Sequence, residues 1–494
     1  MNGYLILLII AAYFGVLMLI SRIAGRSSSG NASFFLGNRT SPWYVVAIGM
    51  VGTSVSGVSV VSVPGMVRST DMTYMQAVFG FVIGYIVVAK VLLPLYYRLR
   101  LTSIYTYLQQ RIGERSYKTG ASFFLLSKTV GSAAKLYLVV QILQTYIFNA
   151  WHIPFAATTA LCVLFVWLYT YRSGIQTLIW TDTLQTICLV SVLLVMIWQV
   201  KEHMGLDFGG MMQTITSSPH CRIFEFNDWG STQHFAKQFL SGIFIVIVMT
   251  GLDQDLMQKN LSCRNLKEAK KNMYSYGVAF IPFNLLFFFL GILLLAFAAQ
   301  QQVTLPAAND DILPMFVTSG LLGNTILVFF TIGIIAAAFN SADSALTALT
   351  TSFCIDILGI EKQETAKARR LRIKIHALIS ALFIVIILLF KAFNNQSLLD
   401  AIYRLVSYTY GPLLGLFAFG LFTKRFPRDK FVPYICIASP ILCYLIETIV
   451  KEAAGYRFGY EMLMLNGSIT FAGLWLASIN HGKITSDGNK ECSI

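Results

Sequence analysis

Charge is what this chain has least of. Asp, Glu, Lys and Arg make up only 12% of its 494 residues, about half the share usual in soluble domains, while 56% are hydrophobic and the mean hydropathy is +0.66. That balance excludes a soluble globular protein and leaves an integral membrane protein. The six histidines are dispersed without metal-ligand spacing, and the eight cysteines are scattered through apolar segments and connections. Neither a zinc site nor a disulfide framework is indicated. HExxH and GxSxG are missing, which argues against a membrane-embedded enzyme. No basic run precedes the first apolar segment, and Arg22 and Arg26 follow it, so a retained anchor is expected rather than a cleaved leader. No long polar stretch is left over for a signalling module. The ionisable groups inside apolar segments are too few and too localised to line a channel.

What the chain does have is apolar length. Thirteen segments are long enough to span as helices, near 3–21, 43–66, 74–97, 119–148, 153–171, 175–200, 236–257, 273–299, 323–355, 375–393, 398–423, 431–450 and 460–480. With the N-terminus outside, the connections on the cytoplasmic side hold 26 of the 37 Lys+Arg and those on the outer side hold 7. Lys90, Lys128, Lys135 and Arg404 fall within spans. This asymmetry is the positive-inside pattern and predicts a multi-pass protein of the cell (plasma or inner) membrane with a cytoplasmic C-terminus. The net charge of +14 is concentrated in cytoplasmic connections such as Lys259 to Lys271, which would face anionic lipid head groups. It calls for no nucleic acid, and no obligate protein partner is indicated.

Two spans read as interrupted. The segment 43–66 carries Gly49, Gly52, Gly57 and Pro64-Gly65 among Thr53, Ser54, Ser56, Ser59 and Ser62. In the segment 236–257, Gly251 precedes Asp253-Gln254-Asp255, with Gln258 just beyond. Glycine and small polar residues at this density weaken a helix, and freed carbonyls are tolerated at membrane depth only beside a cavity. Close helix packing through small residues is the alternative. The two spans each begin a set of five, 43–200 and 236–423, and matched broken helices in two halves point to an inverted-repeat transporter. A third feature is the run from Ala336 to Ser344, which sets Asn340, Ser341, Asp343 and Ser344 inside an apolar helix. Oxygen donors without His or Cys suit a hard cation.

At these residues the chain resembles the sodium:solute symporter family, which includes sugar, proline, iodide and sialic acid symporters. The resemblance is carried by Ser56-Gly57 to Pro64-Gly65, Ile179-Trp180-Thr181-Asp182 with Gln185, Asp253-Gln254 with Gln258-Lys259, Asn340-Ser341 to Asp356-Ile357, and Gly411-Pro412 to Gly420-Leu421-Phe422. It implies a leucine-transporter-type five-plus-five inverted repeat in an all-α membrane protein of about thirteen helices. Residues 1–42 would hold an extra N-terminal helix and inner loop, 43–200 the first repeat, 201–235 an outer loop, 236–423 the second repeat, and 424–494 two further helices and a short cytoplasmic tail. The resemblance places a Na⁺ site at Gly52, Val55, Ala337, Asn340 and Ser341, with Asn340 where relatives carry a hydroxyl. A second site, for Na⁺ or H⁺, maps to Asp182, Asn340, Asp343 and Ser344. Two carboxylates this close would repel unless a cation or proton sits between them.

The solute is expected between the two broken helices near the midplane. Ser54, Ser56 and Ser59 stand on the first; Asp253, Gln254 and Gln258 accompany the second. Gln76, Gln141 and Gln144 add amides, Tyr408 and Tyr410 are candidates to gate, and Lys135 is the cation suited to a substrate carboxylate. Pairing of Lys135 with Asp182 is the competing expectation, and Lys128 would mark an inner vestibule. Sodium-coupled import of a small polar organic solute, a sugar or acidic sugar first, is the function these features imply. Proton coupling through the buried acids, or a monocarboxylate or amino acid as solute, are the alternatives.

Overall fold

A computed structural model describes residues 3–24, 30–146, 148–171, 174–360, 366–393, 398–456 and 458–479. The expected cytoplasmic tail therefore lies outside the described residues. Fifteen principal helices follow the chain: α1 (Gly3–Ala24), α2 (Trp43–Ser54), α3 (Gly57–Thr70), α4 (Met75–Arg98), α5 (Glu114–Tyr146), α6 (Phe155–Thr170), α7 (Ile175–His203) and α8 (Phe235–Gly251), then α9 (Gln254–Leu261), α10 (Leu266–Gln300), α11 (Asn324–Ser352), α12 (Ala366–Phe393), α13 (Leu398–Phe422), α14 (Val432–Ala454) and α15 (Met462–Leu476). A helix or a bent pair of helices lies at each of the thirteen expected segments. Among the described residues seven helices are long and apolar enough to cross a membrane, and nine spans result when each bent pair is counted as one.

The interruptions are real. α2 and α3 meet at 63°, and α8 and α9 at 65°. At the first break Val55 and Ser56 are extended (φ −92°, ψ 109° and φ −93°, ψ 168°). At the second, Asp253 is extended (φ −102°, ψ 120°) and its carboxylate caps α9 by accepting from the amides of Asp255 and Leu256. A side chain that satisfies orphan amides at mid-chain makes the break a stable feature rather than a frayed end.

The break in α2 is held by its neighbours. α2 packs on α7 and α10, while α11 runs behind both halves of the first bent pair and also touches α9. The bundle's outer faces carry apolar side chains with no protein cover, such as Leu126, Leu378 and Ile441. Such a surface is suited to lipid rather than water. Residues 201–235 fold over the turn between α3 and α4, where Asp71 pairs with Arg222 at 3.0 Å and with His220 at 2.9 Å.

The α4–α8 contact depends on two glycines. A Cβ on Gly80 would lie 2.2 Å from the Phe239 carbonyl oxygen, and one on Gly242 2.3 Å from that of Ala77. Small residues let the two backbones touch. Because the obstacle is backbone, Gly80→Ala is expected to destabilise by about 1–3 kcal/mol. A thermal-unfolding scan of the purified protein should show the lower midpoint; an unchanged midpoint would mean that the helices are free to separate.

Candidate cation and solute site

Where α2 stops, its last carbonyls lose their helical partners. In a continuous helix the Gly52 carbonyl would be taken by the Ser56 amide, but Ser56 already stands in extended backbone. Across from this end, α11 presents Ala337, Asn340 and Ser341, all buried. The Ser341 hydroxyl donates to the Thr53 carbonyl at 3.4 Å. The Asn340 carboxamide bridges two helices: Oδ1 accepts from Thr53 Oγ1 at 2.7 Å, and Nδ2 donates to the Asp182 carbonyl at 3.3 Å. Gly52, Asn340 and Ser341 are thus brought together, with Val55 at the break and Ala337 one helical turn from Ser341. Only hard oxygens meet here, which fits Na⁺ as a transported ion. One expectation changes: the Asn340 oxygen is engaged by Thr53, because a carboxamide reaches further across the interface than the hydroxyl it stands in for.

Beside this cluster lies a second one that the acids anchor. Asp182, on α7, receives the Lys259 ammonium at 2.6 Å on Oδ2. The same ammonium donates to Thr53 Oγ1 and Ser344 Oγ, each at 2.5 Å. Asp343 does not touch it. Asp343 Oδ2 accepts from the Tyr169 hydroxyl at 2.7 Å, and Oδ1 from the Ser344 amide at 2.6 Å. The cation beside Asp182 is therefore a lysine, and the hydrogen-bond donor on Asp343 Oδ2 is Tyr169. Neither a Lys135–Asp182 pair nor a Lys259 out in a cytoplasmic connection is found: the short α9 turns back into the protein and leaves Lys259 1% exposed.

A cavity of about 120 Å³ opens between the bent pairs. Its walls include Ser54, Ser127, Ser132 and Thr250, the rings of Phe81, Tyr85 and Phe280, and the hydroxyl-bearing Tyr276 and Tyr410. Two lysines of α5 reach it. Lys128 is neutralised twice, by Asp253 at 3.1 Å and Asp255 at 2.8 Å. Lys135, two turns on, lines the cavity without a hydrogen bond or ion pair among the described residues. The Tyr410 hydroxyl donates to Asp253 Oδ2 at 2.7 Å, so Tyr410 borders the cavity, whereas Tyr408 bonds to Glu447 elsewhere.

Seven expected solute contacts are not in this cavity. The 63° bend turns Ser56 and Ser59 away, leaving Thr53 and Ser54 as its polar face on the first broken helix. Gln76 bonds instead to the Gln233 carbonyl at 2.9 Å and takes the Glu225 amide at 3.1 Å, which ties down residues 201–235. Gln254 bonds to the Ile104 amide and the Thr102 carbonyl, and Gln258 to the Phe35 carbonyl and Thr351. All three amides are fully buried and satisfy backbone groups of connecting segments. Gln144 likewise bonds to Asn149 and to the Ile153 carbonyl, and Gln141 to Lys391. Residues that sequence reasoning passed over are Thr53, Asp255, Lys259 and Tyr276. The signal for Lys259 was its place within two helical turns of the break at Asp253, masked by the basic connection that follows it.

Two mid-protein helix breaks facing a polar cavity, with a cluster of hard oxygens beside them, define a secondary transporter. The model of the sodium:solute symporter family matches residues 34–429, and the chain belongs to that family. It is 26% identical over 428 residues to the sodium/sialic acid symporter NanT of Aliivibrio fischeri, covering 84% of this chain and 82% of that one. It is 23% identical to the sodium/sialic acid symporter SiaT of Proteus mirabilis, with 86% of each covered. The mouse sodium-coupled monocarboxylate transporter 2 is 23% identical over 84% of this chain and 67% of its own length. A solved structure of a Na⁺-coupled sialic acid symporter in a substrate-bound outward-open state shares the fold, with a TM-score of 0.80 at 19% identity over 96% of this chain and 97% of that one. The expected leucine-transporter-type fold and sodium-coupled symport of a small solute across a membrane both hold, and the protein is not an enzyme.

Proposed function

We propose that the chain imports an acidic sugar of the sialic acid type together with Na⁺. The observation that carries this reading is the unpaired Lys135 in a cavity where the other lysine is already neutralised by two carboxylates. A substrate carboxylate supplies the missing partner, and the pairing holds best where water is scarce. Hydroxyls of Ser54, Ser127, Ser132 and Tyr276 suit a polyhydroxylated ring, and Phe81 and Phe280 suit its apolar face. A short monocarboxylate would satisfy Lys135 but leave Ser54 bonded only to Tyr276 and Ser127 only to Thr409, with no use made of their remaining hydrogen-bonding capacity. Na⁺ at Gly52, Val55, Ala337 and Ser341 would bridge the break in α2 to α11 and favour the arrangement that receives solute. The linkage is mutual, so solute raises Na⁺ affinity by the same factor. Residues 43–200 and 236–423 form the two repeats, each opened by a bent pair. The basic connections lie on the cytoplasmic side of a cell membrane, with the N-terminus outside.

The test is uptake of radiolabelled N-acetylneuraminate into proteoliposomes under a Na⁺ gradient, with choline in its place, and again without Na⁺ across pH. Uptake that requires Na⁺ is the expected result. Uptake that ignores Na⁺ and follows pH would replace sodium by proton coupling, and lactate uptake without sugar uptake would make the solute a monocarboxylate. Ser341→Ala, which loses a side-chain oxygen at the break, is expected to raise the half-saturating Na⁺ concentration by about tenfold, equivalent to about 1.4 kcal/mol. An unchanged Na⁺ dependence would remove Ser341 from the ion's ligands.

A further inference from the structure

Three oxygens, Thr53 Oγ1 of α2, Asp182 Oδ2 of α7 and Ser344 Oγ of α11, converge on one point. They come from three separate helices, are almost wholly buried, and include a carboxylate but no nitrogen or sulfur ligand. This is a cation position by its chemistry. It is filled by the Lys259 ammonium, which reaches in from a fourth helix, α9. An ammonium has three donors, and each finds one of the three oxygens at 2.5–2.6 Å. All three of its donors are used at that point, and its charge would repel a metal ion there. Resting on the sodium-coupled reading of the neighbouring site, we infer that Lys259 is a tethered cation standing in for a second Na⁺, and that the chain binds and couples a single Na⁺.

The tether also reaches the first ion position. Thr53 accepts from the ammonium, donates to Asn340, and offers its carbonyl to Ser341. Lys259 therefore does at α2, α7 and α11 what a bound ion would do, but arrives on the same short helix that Asp253 caps at the solute cavity. A bridging charge built into α9 needs no capture from solution and cannot be lost to it.

The experiment is a direct count of ²²Na⁺ bound per chain by the purified full-length protein in lipid nanodiscs, with no solute present. The wild type is expected to bind one Na⁺. Lys259→Gln removes the charge and should raise the count to two. Lys259→Gln combined with Asp182→Asn should return it to one, and Lys259→Arg should keep one. A wild type that binds two ions overturns the inference, and so does a Lys259→Gln chain that still binds one. A Lys259→Gln chain that binds none has failed to fold, and the wild-type count then decides alone. No ²²Na⁺ on the wild type would overturn sodium coupling itself and this inference with it. A wrong solute would leave the count at one and show only in the uptake assay.

Discussion

Lys135→Ala is expected to lower kcat/KM for N-acetylneuraminate by about 100-fold, because a carboxylate desolvated in the cavity then has no cation. Truncating one partner of a buried hydrogen-bonded charge pair costs about 2–5 kcal/mol, and each 1.4 kcal/mol is tenfold. The loss should fall on solute alone. Lys135 is not tied to any of the described residues, so its removal leaves the folded chain's own contacts intact, and the unfolding midpoint and Na⁺ binding should hold. Lys128, seven residues earlier on the same helix, supplies the contrast. Removing it leaves Asp253 and Asp255 buried without a counter-charge, and breaking such a pair destabilises by about 3–5 kcal/mol. Comparing the two alanine variants by thermal unfolding and by uptake separates a substrate ligand from a structural cation. If Lys135→Ala transports normally, or if it unfolds as readily as Lys128→Ala, the carboxylate has another anchor. Lys135→Arg should keep part of the activity, since charge is preserved while reach and geometry change.

The two lysines show which parts of the molecule the sequence made legible. Broken helices are written locally, in glycine density and in small polar residues inside apolar runs, so the interruptions near Val55 and Leu252 are readable in the sequence. The oxygen-rich face of α11 was readable for the same reason: Asn340, Ser341 and Ser344 have no business in lipid. What a side chain touches across helices is not local. Gln76, Gln254 and Gln258 have the same amide chemistry whether they hold a solute or a backbone carbonyl, and packing turned each toward backbone. Lys259 was hidden differently. It follows a span in a stretch of basic residues, where topology alone explains a lysine, and only the fold of α9 back against α2, α7 and α11 buries it. Most of these misassignments therefore fall on polar side chains whose partner comes from another element of the fold, as for Gln254 with Ile104 and Lys259 with Asp182.

The other large effect is expected at Gly52, which has no side chain to lose. A methyl there would stand 2.0 Å from Thr186 Oγ1, 3.0 Å from Thr186 Cβ and 2.7 Å from Asn340 Nδ2. Thr186 cannot simply turn aside, because its hydroxyl is bonded to the Asp182 carbonyl at 2.7 Å and rotation exchanges that oxygen for a methyl. α2 must then move off α7 and α11 at the point where Thr53, Asp182, Asn340 and Lys259 meet. Overpacking of about 1–3 kcal/mol, applied to the ion-binding arrangement rather than to the whole fold, corresponds to up to about 100-fold in Na⁺ affinity. Gly52→Ala should therefore abolish Na⁺-driven uptake at Na⁺ concentrations that saturate the wild type. The obstacles are side chains rather than backbone, Thr186 the nearer of the two, and this makes the argument testable by repair. Thr186→Ala removes the nearest atom, so Gly52→Ala with Thr186→Ala should recover more Na⁺ binding than Gly52→Ala alone, a non-additivity expected only of residues in contact. If the double variant is as poor as the single, or if Gly52→Ala binds Na⁺ normally, the close approach of α2 to α7 does not set the ion site. A recovered double variant would establish that Gly52 matters for the distance it permits between helices, which is what places the freed carbonyls and Ser341 around one ion.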